Sequence, residues 1–105
     1  MQPKRVVLAG CGFLGEVAAG LFFKNGWDVL GLCATEGTAA RLASRPFPVR
    51  VADISKPLAA PEGWSQPDLL IHCASSGGGD AEDYRAVYRD GLQNLIAAFA
   101  PKRVI

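Results

Sequence analysis

The sequence lacks the features that mark several classes of protein. Its three cysteines include no CxxC pair, which fits neither a disulfide framework nor a zinc site. No block of like charge occurs, and eleven basic residues against ten acidic ones leave a net charge of +1, so we expect no nucleic-acid partner. The apolar runs are far shorter than the ~20 residues of a membrane span, and the N-terminus lacks the apolar core of a signal peptide. We therefore expect a cytoplasmic protein with reduced, buried thiols and no membrane partner.

Apolar runs alternate with helical patterns along the chain, whose 105 residues allow a single domain over residues 1–105. The runs predict strands at residues 5–9, 27–34, 48–53, 68–74 and 102–105. Helices are predicted at residues 12–26, at residues 37–44 with Thr38 as N-cap, and at residues 80–99. Residues 55–67, with three prolines and a glycine, predict a loop. This alternation indicates an α/β, Rossmann-type parallel sheet of order 3-2-1-4-5 with helices on both faces.

Each of the two longer helices has an apolar pattern that predicts a face against the sheet. In the first helix these positions are Leu14, Val17, Ala18, Leu21 and Phe22. In the last helix the pattern is longer, and its members are Tyr84, Val87, Tyr88, Gly91, Leu92, Leu95, Ile96 and Phe99. The positions between them are polar and predict a face toward solvent, made of Arg85, Arg89, Asp90, Gln93 and Asn94.

The stretch VVLAGCGFLG places a GxGxxG pattern between the first strand and the first helix. In a dinucleotide site Gly10 would permit the tight turn, Gly12 the approach of a pyrophosphate, and Gly15 the packing of helix on strand. Phe13 and Leu14 complete the predicted binding turn, whose free amides and helix dipole would face the phosphates. The pattern alone is weak, and a tight turn without a ligand is the alternative.

The stretch after the second strand, LCATEGTAAR, bears on the identity of the cofactor. An acidic residue normally ends this strand when NAD is bound, but Thr35 lies in this region and Glu36 is the nearest acid. Arg41 and Arg45 follow within reach of a 2′-phosphate, which favours NADP over NAD. The alternative is that both arginines belong to a solvated helix face.

Four stretches in order, VVLAGCGFLG, VRVADI, DLLIHCASS and YRAVYRDGLQNLIAAF, resemble the extended or atypical short-chain dehydrogenases/reductases, the NAD-dependent epimerase/dehydratase family. The resemblance implies the nucleotide-binding half of an oxidoreductase that transfers a hydride to or from a small-molecule substrate. It further implies that Asp53 hydrogen-bonds the adenine amine and that Ile54 supplies backbone contacts. Ala74, Ser75 and Ser76 would follow the adenine-side ribose and the pyrophosphate. Asp53 could instead cap the following turn.

Two departures from that family limit the prediction. In the first, Tyr88 stands where extended members usually have an asparagine. His72 is not a departure, and it is expected to pack at a strand end and not to bind a ligand. The family's catalytic Tyr-x-x-x-Lys motif is absent, so the resemblance covers an N-terminal half without catalytic residues. Because the sequence stops within the fifth predicted strand, we expect a fragment of a longer protein. Its uncovered sheet flank would then favour a homo-oligomer or association with the missing half.

Two further classes remain open from the residues. A non-catalytic module that senses a dinucleotide, or binds a partner through the same fold, would also lack the catalytic pair. A methyltransferase or flavodoxin-like α/β domain would share the alternation of strands and helices. Sites for S-adenosylmethionine (SAM) also use a glycine turn after the first strand, although they normally require an acid at the end of the second.

Overall fold

A parallel sheet forms the centre of the structure, a computed structural model that describes residues 3–10, 13–73 and 85–105. Its strands are β1 Arg5–Ala9, β2 Asp28–Cys33, β3 Val49–Val51 and β4 Leu69–His72. They lie in the order β3-β2-β1-β4 and every neighbouring pair is parallel. The Rossmann-like α/β fold and the order of the first four strands are therefore confirmed. β1 is apolar and rich in valine because, from its second residue on, it is buried on both faces of the sheet.

The fifth strand, predicted at residues 102–105, is not part of the sheet in the described part of the chain. Val104 makes one parallel bridge to Leu70. Backbone hydrogen bonds flank it, from the Leu70 N–H to the Arg103 carbonyl and from the Ile105 N–H to the Leu70 carbonyl, both at 2.9 Å, and from the His72 N–H to the Ile105 carbonyl at 3.1 Å. The apolar residues remain uncovered, since Val104 is 41% exposed and Ile105 73% exposed. The predicted order 3-2-1-4-5 is thus corrected to four strands. Association through this flank stays a prediction.

Helices cover both faces of the sheet, as predicted. In the described ranges they are α1 Phe13–Lys24, α2 Glu36–Arg41, a π-helix Ala86–Asp90 and α3 Gly91–Phe99. The predicted N-cap of α2 was wrong, because the Thr35 hydroxyl, and not that of Thr38, accepts the capping hydrogen bond. Residues 55–67 form neither helix nor strand, which confirms the loop. Within the described ranges, no helix combines the length and apolarity needed to cross a membrane.

Two clusters of buried side chains hold the helices against the sheet. One cluster joins α3 to one face, and its members are Val7, Ala9, Leu30, Leu32, Ile54, Leu70, Leu95 and Phe99. The other joins α1 to the opposite face and contains Val6, Leu8, Ala19, Val29, Leu42 and Phe47. The predicted inner face of α1 was partly wrong, because Val17 and Leu21 are 49% and 57% exposed. The buried face is turned by about one position, onto the small residues Gly15 and Ala19, which allow α1 to approach the strands closely.

Candidate functional site

The carboxyl ends of all four strands meet at one edge of the sheet. β1 leads into α1 on one face, whereas the chain after β4 returns in α3 on the other face. Cys73, directly after β4, donates its N–H to the Ala9 carbonyl at 2.8 Å, and Gly10 donates to the Leu32 carbonyl at 2.9 Å. The neighbouring ends of β1 and β4 thus form a topological switch point, the place where open α/β sheets bind ligands.

The glycine turn joins β1 to α1 at this edge. Gly10 has φ +90°, a left-handed conformation that glycine adopts without strain. A Cβ on Gly15 would lie 2.5 Å from the Gly10 carbonyl oxygen, so the first turn of α1 rests directly on the turn. Phe13 and Leu14 are the first residues of α1, while Gly12 lies outside the described residues. The predicted strand-to-helix junction is present. At Gly15 it has room for the hydrogen atoms of glycine but not for a Cβ atom.

Asp53 and Ile54 follow β3 at the same edge. Asp53 is exposed, and its Oδ1 accepts hydrogen bonds from the Ser55 hydroxyl and from the Ser55 N–H, the latter at 3.0 Å. These bonds, the hydroxyl first, lower the pKa of Asp53, so the carboxylate is ionised at neutral pH. Asp53 therefore closes the turn, and both of these bonds end on one of its two oxygens. Its contact with an adenine amine stays a prediction.

Asn94 of α3 holds this turn in place. Its Nδ2 donates to the Ile54 carbonyl at 2.8 Å, across the top of the core that Ile54 enters. The prediction that Asn94 faces solvent was therefore wrong. The sequence did carry a signal for this contact: Asn94 directly precedes Leu95, which is buried, so Asn94 lies at the border of the apolar face of the helix. Asn94 ties the segment after β3 to the helix that follows β4.

Thr35 and Arg41 have intramolecular partners in the structure. The Thr35 hydroxyl accepts from the Thr38 N–H at 3.2 Å and caps α2. Arg41 Nη1 donates to Glu16 Oε2 at 2.9 Å, and Arg45 donates to Glu16 Oε1. Both guanidinium groups lower the pKa of Glu16, and the hydrogen bond from Arg41 contributes most. The two ion pairs link α2 and the turn that follows it to α1. That Thr35 or Arg41 also contacts a ligand stays a prediction.

A cleft of about 480 Å³ opens beside Asp53, between β3 and residues 56–61. Most of its lining is apolar, from Leu32 and Leu58 among others, and its charged groups are Arg50, Asp53 and Lys56. Ligand sites commonly combine such an apolar wall with a few polar groups, and this volume lies within their usual range. The cleft can therefore take a flat apolar group whose polar edge reaches Asp53.

Two aromatic rings stack where β4 ends. The rings of His72, the last residue of β4, and Tyr88, in the π-helix, have centroids 5.8 Å apart and planes inclined by 28°. His72 is the register partner of Ala9, so the pair lies beside the end of β1. The expected packing of His72 at a strand end is confirmed, but its partner is a ring that the sequence patterns did not assign to it.

The two described cysteines are free thiols. Cys33 is buried and Cys73 half-buried, and burial raises the pKa of both thiols, which keeps them protonated and weakly nucleophilic. In the described ranges no three His, Cys, Asp or Glu side chains come together as metal ligands. The remaining predicted site residues, Ala74, Ser75 and Ser76, lie outside the described residues.

The sequence matches no protein-family model and no curated protein. Several solved structures share its fold, and two of them are methyltransferases. CalS10, a SAM-bound amino pentose methyltransferase of calicheamicin biosynthesis from Micromonospora echinaspora, matches at a TM-score of 0.59 and 19% identity over 94% of this chain and 39% of its own. KedS8, a sugar N-methyltransferase from a Streptoalloteichus species, matches at a TM-score of 0.54 and 14% identity over 89% of this chain and 37% of its own. The chain thus spans about two fifths of their length, and at these identities the likeness establishes the fold alone.

These matches correct the assignment made from sequence. The resemblance to short-chain dehydrogenases/reductases was wrong, because the two structures described above, which share this fold, are methyltransferases. The same finding corrects the predicted epimerase, dehydratase and oxidoreductase activities, the cofactors NAD and NADP, and the dinucleotide-sensing alternative. The physical reason is that a glycine turn at a helix N-terminus specifies a backbone geometry and an anion, both of which dinucleotide and SAM sites share. The missing acid at the end of β2, which had favoured NADP over NAD, does not distinguish the two kinds of site, because SAM sites normally require that acid as well.

Proposed function

We propose that this chain forms the SAM-binding part of a methyltransferase that acts on a small-molecule acceptor. The single observation that carries the proposal is the close-packed glycine junction between β1 and α1, in a fold shared with a SAM-bound methyltransferase. When bound, SAM supplies an electrophilic methyl group. This chain's own residues bind and orient the ligand at the carboxyl edge of the sheet.

The turn after β1 fits the amino-acid end of SAM, which carries a carboxylate. Backbone N–H groups at a helix N-terminus attract anions through unsatisfied donors and the helix dipole. Gly15 brings the first turn of α1 against Gly10, which holds the N-terminal end of the helix close to the end of β1. We assign the carboxylate to this junction.

The segment after β3 fits the adenine end. Asp53 is ionised and accepts hydrogen bonds from Ser55 on Oδ1, so Oδ2 is assigned to the exocyclic amine of adenine. The apolar wall of the adjacent cleft, with Leu32 in it, would cover the flat face of the base. The hydrogen bond from Asn94 to the Ile54 carbonyl holds the segment in position.

The ribose is assigned to the start of α2. Glu36, in the first turn of α2, is the acid nearest the end of β2, and it is exposed. Its carboxylate would accept hydrogen bonds from the ribose hydroxyls, the contact that an acid ending β2 commonly makes in this fold class. Because Glu36 lies three residues beyond Cys33, this contact needs the longer side chain of glutamate.

The test compares two aspartates in calorimetric titrations with SAM. Asp53→Ala is expected to weaken binding about 10-fold or more, the usual effect of a lost hydrogen bond to a charged group. Asp28→Ala is the matched control, since Asp28 is an exposed aspartate at the amino end of β2, at the opposite edge of the sheet. Equal affinities for the two variants would contradict the assignment of Asp53. An unaltered chain that binds no SAM would contradict the proposed function itself.

A further inference from the structure

The stacked rings of His72 and Tyr88 lie at the one strand end to which the proposed SAM contacts assign nothing. The adenine is assigned to β3 and the carboxylate to the turn after β1, and β4 lies on the far side of β1. With parallel strands about 4.8 Å apart, β3 and β1 are separated by roughly 10 Å, within the span of an extended adenosine. A ligand laid from β3 toward β1 therefore brings its sulfur to the ends of β1 and β4.

The backbone that carries Tyr88 is irregular at this place. Residues Ala86–Asp90 form a π-helix, which changes to the regular α3 at Gly91. π-Helical turns are rare and are found frequently at functional sites. Here the π-helix places the Tyr88 ring against the His72 ring. Both residues are half-buried, so part of the stacked pair is accessible at the carboxyl edge of the sheet.

The face of a tyrosine ring attracts a cation through its negative electrostatic potential. The sulfonium of SAM is such a cation, whereas the thioether of S-adenosylhomocysteine is neutral. We propose that the His72–Tyr88 pair forms the contact surface for the sulfonium end of SAM, with the Tyr88 ring as the attracting group. This inference rests on the proposed function, because it presupposes SAM at the carboxyl edge.

The test measures the preference of the chain for SAM over S-adenosylhomocysteine by calorimetry. Tyr88→Leu is expected to reduce that preference about 3- to 30-fold, the range for a cation over an aromatic face, and Tyr88→Phe is expected to retain it. Phe22→Leu is the matched control. Phe22 stacks edge-on with Trp27 at a centroid distance of 4.9 Å on the opposite face of the sheet, so its loss should leave the preference unchanged.

A second measurement uses the unaltered chain, in which His72 is the single histidine, so its imidazole NMR signals need no assignment by mutation. SAM is expected to shift these signals further than S-adenosylhomocysteine does. Equal shifts from the two ligands, or an unchanged preference in Tyr88→Leu while SAM still binds, would overturn the ring-pair assignment and leave the proposed function standing. Failure of the unaltered chain to bind SAM would overturn both.

Discussion

Replacing Gly15 by alanine tests whether the turn and helix α1 are as closely packed as the structure has them. The new Cβ would lie 2.5 Å from the Gly10 carbonyl oxygen and 3.3 Å from the carbonyl carbon. Carbon–oxygen contacts are comfortable from about 3.3 Å, so α1 must move away from the turn by about 0.8 Å. The obstructing atom is a backbone oxygen and cannot rotate aside, because Gly10 is held by the hydrogen bond from its N–H to the Leu32 carbonyl in β2. Overpacking of this kind costs about 1–3 kcal/mol.

Gly20→Ala is the matched control in the same helix. A Cβ on Gly20 meets nothing within 4 Å, so this variant has only the helix preference of alanine over glycine, about 0.5–1 kcal/mol of added stability. Since both substitutions share that preference, the difference between them isolates the contact at Gly15. We expect Gly15→Ala to be the less stable variant by about 1–3 kcal/mol.

Urea denaturation followed by circular dichroism measures this difference. With a slope of about 1.5 kcal/mol per molar urea, the midpoint of Gly15→Ala is expected about 0.7–2 M below that of Gly20→Ala. Gly15→Ala should also bind SAM more weakly, because the N-terminus of α1 has moved, whereas Gly20→Ala should bind as the unaltered chain does. Coincident midpoints would refute the close packing, and with it the reasoning for the turn as a preformed anion site.

Three further outcomes are expected in the same assay. Asn94→Ala should lower the free energy of unfolding by about 1–2 kcal/mol, since it leaves a backbone carbonyl unpaired, while exposed Gln93→Ala should change it little. A hydrogen bond from the Arg5 N–H, and to a smaller degree Lys102, lowers the pKa of Asp68. The free energy of unfolding should therefore fall as the pH drops from about 4 through the folded-state pKa. This fall should be smaller in Asp68→Asn. Ala100 has φ +46°, so Ala100→Gly should stabilise by about 0.5–1 kcal/mol, whereas Ala97→Gly, within α3, should destabilise similarly.

Contacts between chain neighbours were predictable from the sequence. The bounds of β1 and the loop at residues 55–67 were predicted correctly, because β-branched runs and prolines act within a few residues. Gly26 was predicted to end α1, and its φ of +84° agrees. Each of these features depends on local backbone preferences, which a single sequence records directly. The order of the four strands was predicted from the general rule for right-handed parallel crossovers and not from local residues.

Contacts between distant segments were not predictable in the same way. Asn94 and Ile54 are 40 residues apart, and Arg41 and Glu16 are 25 apart, so no periodicity links them. The inner face of α1 was misplaced because hydrophobicity favours large side chains, while close packing here selected small ones such as Ala19. The cofactor was misassigned for a related reason, since a glycine turn specifies the approach of an anion and not the molecule that carries it.

The central claim is that the carboxyl edge of this sheet binds SAM. The most direct test is a calorimetric titration of the chain with SAM, S-adenosylhomocysteine, NAD and NADP under identical conditions. We expect saturable binding of SAM at one site, with no comparable binding of either nicotinamide dinucleotide. Saturable binding of NAD or NADP together with no binding of SAM would contradict it.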